Sequence, residues 1–349
     1  MSLSFTKKLT ALACSLLAVT MFTACSGTAP NAASDGSSPT KVAIGVGGQT
    51  LLTYLPTTLA AQLGYYEDEG LDVELQDLQG GSKALTALVG GSVEIASGYY
   101  EHTIQMQAKQ QSIKSFVQMG KSPGLALVVA PGMTAEITSL EDLKGKTVGV
   151  TAPGSSTDML IRYLLVQAGM QVTDVSVAGI GAGSSAVAAM QSGEIAAGVM
   201  LEPDITVLAE KTGSPTVTLA DTRTPEGLKD VYGSETWSSS AFYAKTAWLE
   251  ANPETAQKLA NALTKTLQYI ADHDGAEIAA EMPESYAGGD LDRYATLIEE
   301  MKSQFTTDGR NTEVGTEAVL ETQRVANPEI GDKEIDLSTT YTNEFVGGE

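Results

Sequence analysis

The sequence predicts an α/β protein of two lobes, each a largely parallel sheet covered by helices. Three observations carry this expectation. Short apolar runs of strand length alternate with segments of helix length, an order that needs parallel strands joined by crossover helices. A segment of the first half recurs in the second at a constant offset. Residues 41–349 are also too many for one core of ordinary size.

Taken in order, Lys41-Val-Ala-Ile-Gly-Val46 reads as a buried strand ending at Gly47-Gly48. A helix follows from about Pro56, a good first-turn residue, and stops at Gly64. Leu71-Asp-Val-Glu-Leu75 alternates like a second strand, residues 82–89 form a helix behind Gly80-Gly81, and residues 93–97 give a third strand. Lys146-Thr-Val-Gly-Val150 opens the cycle again, followed by Pro153-Gly-Ser-Ser-Thr-Asp158 and a helix to Gly169. The echo lies here: Gly81-Ser-Lys-Ala-Leu-Thr-Ala-Leu88 matches Gly183-Ser-Ser-Ala-Val-Ala-Ala-Met190 at an offset of 102. The same offset carries Tyr99-Tyr100-Glu101 onto Leu201-Glu202-Pro203. Each half thus sets a contact segment just past a strand's carboxyl end, where open α/β sheets bind ligands. Later, residues 255–270 gather Leu259, Ala262, Leu263, Thr266 and Ile270 near one helical face, and residues 291–305 repeat that character. With the polar tail 336–345, this region reads as the completion of lobe one.

The first forty residues stand apart. Lys7-Lys8 precede an apolar run, residues 9–21, too short to span a membrane stably, and small residues lead into Cys25. Phe22-Thr23-Ala24-Cys25 resembles the lipobox of bacterial lipoproteins, with Phe22 where Leu is usual. That resemblance implies a signal peptide (residues 1–24) cleaved before a palmitate-type lipidated Cys25, and a domain outside the cytoplasm held to the cell membrane by lipid alone. An ordinary secretory signal with an incidental Cys is the alternative. Residues 26–40, almost wholly small and polar, read as a flexible tether. Cys14 leaves with the signal, so the folded part has no disulfide framework and no Cys nucleophile or zinc site. The formal net charge of −22 becomes −24 once Lys7 and Lys8 are removed, which argues against nucleic acid as a partner.

Three motifs in this order and spacing point to a family. Gly64-Tyr-Tyr-Glu-Asp-Glu-Gly-Leu-Asp-Val73, the Gly81 to Gly91 segment with Glu94, and Leu140-Glu-Asp-Leu-Lys-Gly-Lys-Thr-Val-Gly149 together resemble the solute-binding proteins of ABC importers. The similarity is to the nitrate/sulfonate/taurine group, which includes receptors for thiamine-precursor pyrimidines, and it covers residues 41–346. It implies a type II periplasmic-binding-protein fold, two α/β lobes joined by two crossing strands with a ligand cleft between them. By that pattern the crossings fall near residues 124–129 and 238–244. Lobe one would be 41–125 plus 242–349 and lobe two 126–241. The resemblance also implies a small-molecule solute, a permease and its ATPase as partners, a monomer, and neither cofactor nor metal.

Residues 153–158 form a Gly-Ser-Ser-Thr loop opening a helix, with Ser155 and Asp158 at capping-box spacing. Capping accounts for those two but does not require Ser156 and Thr157. Free N–H groups, hydroxyls and the positive end of the helix dipole suit an anionic or strongly polar ligand atom. Gly154, Ser155, Ser156 and Thr157 are therefore candidate contacts, with Ser82 as their counterpart in lobe one. The family's usual geometry adds Gln49, Thr50 and Tyr54 after the first strand. Tyr99, Tyr100, Glu101 and Glu202 follow the third strand and its repeat, and Trp237 sits beside the second crossing. Aromatic faces there can stack a planar ligand or enclose an alkyl chain, or they can pack the lobes together.

No Lys or Arg occurs in segments 49–55, 99–103, 153–158, 200–204 or 236–243, whereas Glu101 and Glu202 do. The family implies a nitrate/sulfonate/taurine-like organic anion, which helix N-termini could hold without a countercharge. The carboxylates favour an alternative, a nitrogen heterocycle such as a thiamine-precursor pyrimidine or riboflavin, hydrogen-bonded by Glu and stacked on Tyr. Catalysis is not expected. Glu101-His102 is the obvious acid/base pair, but adjacent residues on a strand point to opposite faces, and His273 falls in a loop. There is no Gly-x-Ser-x-Gly elbow, metal-ligand spacing or phosphate-binding loop. The same fold hosts a few biosynthetic enzymes, and a tethered ligand sensor would give the same sequence features.

Overall fold

The computed structural model describes residues 38–347; the signal, Cys25 and nearly all of the tether lie outside the described residues. β1 (Thr40–Val46) buries Val42, Ile44 and Val46. It is followed by α1 (Leu55–Gln62), entered through Pro56, the single-turn α2 (Tyr65–Asp68), and β2 (Leu71–Asp77). Then come α3 (Gly81–Gly90), β3 (Ile95–Tyr99), α4 (Glu101–Ala108) and β4 (Ile113–Gln118). β3 begins two residues later than the apolar run suggests. Glu94 is occupied at the strand's edge, where its carboxylate accepts from the Ala43 N–H at 2.8 Å.

The second lobe holds β5 (Ala126–Val129), β6 (Thr147–Val150), α5 (Ser156–Gln167), β7 (Ser176–Gly179), α6 (Ser184–Gln191), β8 (Ala197–Met200), α7 (Asp204–Thr212), β9 (Thr218–Asp221) and α8 (Pro225–Tyr232). β10 (Ser240–Lys245) returns to the first sheet. After it run α9 (Thr246–Ala251), α10 (Pro253–Asp272), α11 (Gly275–Glu281), α12 (Leu291–Met301) and α13 (Glu313–Ala326). The two sheets have matching orders, β2-β1-β3-β10-β4 and β7-β6-β8-β5-β9. In each, three parallel strands meet an antiparallel fourth, β10 or β5. The offset of 102 is thus a real architectural repeat, pairing α3 with α6 and β3 with β8.

The lobes are joined by residues 119–125 and 233–239, which run side by side. Met119 and Gly120 both donate to the Ser240 carbonyl, Ser239 to Gly120, and Trp237 to Lys121, all at 2.8–3.0 Å. β5 and β10 themselves each lie wholly within one sheet, so the crossing is made by the residues just before each strand. α10 buries Leu259, Ala262, Leu263, Thr266 and Ile270, and α13 packs on both α4 and α5, behind the crossings. Among the described residues no helix is long and apolar enough to cross a membrane.

Candidate functional site

Four parallel strands, two from each sheet, direct their carboxyl ends at one space. Gly47 after β1, Tyr99 at the end of β3, Thr151 after β6 and Leu201 after β8 line a common cavity. Leu51, Tyr54, Gly81, Leu125, Ser155, Ser156 and Thr157 complete the lining. The cavity is about 10 Å³, roughly the threshold for a single water molecule, so the lobes are drawn together in this form. Larger hollows lie on the outer faces, about 260 Å³ beside Tyr66 and Leu71 and about 540 Å³ beside Tyr163 and Asp221. The strand-end cavity is the candidate site because it gathers the carboxyl ends of strands from both sheets, the place where α/β folds bind ligands.

One wall is aromatic. Tyr54 and Tyr99 meet edge to face, centroids 6.1 Å apart, and the Tyr99 hydroxyl donates to the Pro123 carbonyl at 2.5 Å. The opposite wall is the start of α5. Thr157 Oγ1 accepts the Thr151 N–H at 3.0 Å, and among the described residues the Ser156 and Thr157 N–H groups have no turn or cap partner. Ser155 is the N-cap, yet its side chain does not cap its own helix. Asp158 instead accepts the Gly154 N–H at 2.7 Å and holds Arg162 through both carboxylate oxygens. The capping box suggested by the spacing therefore does not form, because the Ser155 hydroxyl is engaged across the cleft. It accepts the Ser82 N–H at 2.9 Å, and the Ser82 hydroxyl donates to the Pro153 carbonyl at 2.8 Å. Leu52 N–H to the Glu202 carbonyl, 2.9 Å, closes the other side.

Beside Ser156 lies Glu101, 1% exposed. One carboxylate oxygen accepts from Gln323 Nε2 at 3.0 Å, and the other, Oε1, has no partner. Burial pushes its pKa up to about 8, opposed by the Ser156 hydroxyl and assisted by the nearby Asp158 charge. His102 adjoins it, fully buried. Its Nδ1 bonds the Tyr243 hydroxyl at 2.9 Å, its Nε2 is unpartnered, and burial lowers its pKa to about 4. These two residues occupy the first turn of α4, not a strand, so the opposite-face argument against the pair does not apply. What separates them is direction: Glu101 meets α13 and Ser156, while His102 packs edge-on against Tyr243.

Several candidates point elsewhere. Tyr100 turns away from the cleft, its hydroxyl 2.5 Å from Thr340 Oγ1 and its ring against Tyr341. Glu202 is paired with Arg223 at 2.5 Å and also accepts the Thr206 N–H, so its carboxylate is already occupied. Arg223, absent from every segment weighed in the sequence, lies 21 residues further on. Trp237 is buried, stacks on Tyr232 with centroids 5.6 Å apart and donates its indole N–H to Thr322; it does not line the cavity but backs Tyr99, centroids 6.2 Å apart. Gln49 and Thr50 stand at the rim, where the Gln49 N–H donates to Asp77 and Thr50 Oγ1 faces Gly183. Ser82 and Gly154 belong to the cross-cleft contact. Thr151 and Gly47 line the cavity without having been candidates, although their places directly after strands are readable in the sequence. Gln323 and Thr322 are not, since α13 is distant in sequence.

Two mixed sheets joined by paired crossings, with a cavity at the strand ends between them, make up the periplasmic-binding-protein fold. The chain belongs to the NMT1/THI5-like family, whose model matches residues 53–276. It is similar to a solved Bordetella bronchiseptica structure at 38% identity, covering 88% of this chain and 96% of that one, with a TM-score of 0.84. The alkanesulfonate-binding protein SsuA of Xanthomonas axonopodis, solved with MOPS, shares the fold at 17% identity over 84% of this chain and 96% of its own, TM-score 0.65. Among curated relatives, a 4-amino-5-hydroxymethyl-2-methylpyrimidine phosphate synthase of Aspergillus parasiticus is 26% identical over 84% of this chain and 83% of its own length. YtlA of Bacillus subtilis, which carries a provisional binding-protein name, is 25% identical over 72% of this chain and 73% of its own.

Proposed function

We propose that this chain is the extracytoplasmic receptor of an ABC importer, lipid-tethered through Cys25, whose lobes (41–125 plus 242–349, and 126–241) close on a small solute carrying N–H donors. A nitrogen heterocycle is the class the site favours over the organic anion that the family's common members suggest. The observation that carries this is Glu101, a buried carboxyl with a free oxygen beside the cavity wall and no Lys or Arg among the lining residues. A buried unpaired acceptor costs free energy until a donor meets it. A solute N–H entering between Ser156 and Glu101 supplies that donor, while Tyr54 and Tyr99 offer ring faces and edges for a planar solute.

The anion reading keeps one supporting feature, the unpartnered N–H groups of Ser156 and Thr157 at the positive end of α5. Receptor rather than enzyme is favoured by the lining, which holds hydroxyls and apolar groups but no Lys, Cys or His, although a relative is a synthase. The test is a thermal-shift screen of the protein after unfolding and refolding, with nitrate, taurine, alkanesulfonates, thiamine-type pyrimidines and riboflavin. A solute at about a hundred times its Kd adds roughly 2.7 kcal/mol, a shift of about 4 °C for a domain this size. A response to pyrimidines or riboflavin, lost in Glu101→Gln, supports the heterocycle. A response to sulfonates or nitrate that Glu101→Gln leaves intact overturns it.

A further inference from the structure

The geometry points to a solute-independent latch between the lobes, in which Gly80 and Ser82 at the start of α3 dock on Ala152, Pro153 and Ser155 before α5, and the Ser155 hydroxyl exchanges between two helix ends. It rests on the reading that the lobes separate and close. Ser155 has the backbone of an ordinary N-cap, φ −78° and ψ 169°, the conformation from which a serine hydroxyl caps its own helix. Here that hydroxyl accepts the Ser82 N–H instead, at 2.9 Å, and lies 3.2 Å from the Ser82 hydroxyl, which itself donates to the Pro153 carbonyl. Among the described residues, the Ser156 and Thr157 N–H groups of α5 have no turn or cap partner, although the Asp158 N–H reaches the Ser155 carbonyl, while the Ser82 N–H of α3 is satisfied. With the lobes apart, Ser155 can cap α5 and Ser82 returns to water. Each arrangement satisfies one helix end at the expense of the other, so the two differ by little free energy and the element is bistable.

Gly80 shows that this contact sets a steric limit. Its φ is 167°, an extended backbone open to any residue, so local conformation does not demand glycine. Yet a Cβ built there would lie 2.7 Å from the Ala152 Cβ of the opposite lobe, closer than real side chains approach. Only the docked arrangement excludes a side chain at residue 80. Neither Gly80 nor Ser82 lines the cavity, so their effect on closing is separable from solute contact.

The test is a distance measurement by dipolar EPR on the full chain without solute, with Cys14→Ser and Cys25→Ser to remove native thiols. Labels go on Gly90→Cys and Gln191→Cys, exposed sites at the far ends of α3 and α6. The parent should show a short and a long distance. Ser82→Ala should lower the short-to-long ratio about fivefold, the loss of one net hydrogen bond. Gly80→Ala should lower it tenfold or more, and Gly80→Ala with Ala152→Gly should restore it. Two distances in the parent with ratios unchanged in Ser82→Ala and Gly80→Ala would overturn the latch while leaving lobe motion intact. A single distance common to the parent and every variant would overturn the moving-lobe reading, and the latch with it.

Discussion

Replacing Glu101 by Gln should make the unliganded protein more stable at neutral pH, and the size of the gain follows from its surroundings. The carboxyl is 1% exposed, has one oxygen without a partner, and its pKa is pushed from 4.5 up to about 8 by burial. A carboxyl with a native pKa above its unfolded one binds its proton more tightly when folded. Its contribution is therefore present below pH 4.5 and is lost as pH rises through 8. At 1.36 kcal/mol per pH unit, the loss between pH 4.5 and pH 7 is about 3 kcal/mol. The amide introduced by Glu101→Gln would keep the shape, stay neutral, accept from Gln323 and donate to the Ser156 hydroxyl. Denaturant unfolding of both proteins at pH 4.5 and pH 7 checks this. The two should lie within about 1 kcal/mol at pH 4.5, with the variant ahead by about 3 kcal/mol at pH 7, equivalent to about 5 °C in Tm. A difference that does not change with pH, or a variant less stable at pH 7, would show that Glu101 is hydrated or paired, and would remove the reason for assigning it a solute donor.

His102 should act in the opposite direction. Its buried ring has its pKa lowered from 6.5 to about 4, so the unfolded chain takes up the proton first and stability falls as pH drops from 6.5 to 4, by about 3 kcal/mol; in His102→Asn that slope should vanish from acid unfolding curves. Arg223→Ala should strand Glu202, which is nearly inaccessible, and cost roughly 3 kcal/mol in denaturant melts. Glu202→Gln, in contrast, should leave solute affinity by calorimetry within about twofold, since its carboxylate is held by Arg223 and the Thr206 N–H and contributes no free charged hydrogen bond.

Much of the fold was legible because it is written locally. Strand runs, Pro56 at a helix entry and the echo at an offset of 102 each reflect short-range patterns, and the matched strand orders bear them out. The candidate site was legible only as a set of addresses. Tyr54, Tyr99, Ser155, Ser156 and Thr157 converge on one cavity because all sit at strand ends or helix starts. Direction was not readable: Tyr99 and Tyr100 are neighbours, yet one faces the cleft and the other the Thr340 tail, since a strand gives way to a helix between them. Long-range partners were equally hidden. Glu202 reads as free because Arg223 is returned to it only by α7 and β9, and the Gln323 partner of Glu101 lies on α13, more than two hundred residues on.

The repeat also explains why the two lobes contribute different chemistry to one cleft. Tyr99-Tyr100-Glu101 and Leu201-Glu202-Pro203 occupy equivalent places after β3 and β8. In lobe one that segment presents an aromatic ring to the cavity and a carboxyl beside it. In lobe two it presents Leu201 and ties its carboxylate to Arg223. What lobe two offers instead is the start of α5, with hydroxyls and two bare N–H groups. On the proposed reading, a carboxyl on one side and free N–H groups on the other suit a solute that carries both donors and acceptors, as a nitrogen heterocycle does. Closure on such a solute removes both sets of unsatisfied groups at once. Closure without it leaves Glu101 Oε1 and the α5 N–H groups stranded, so the free energy that separates full from empty closing resides in these unpartnered atoms rather than in the apolar contacts that both forms share.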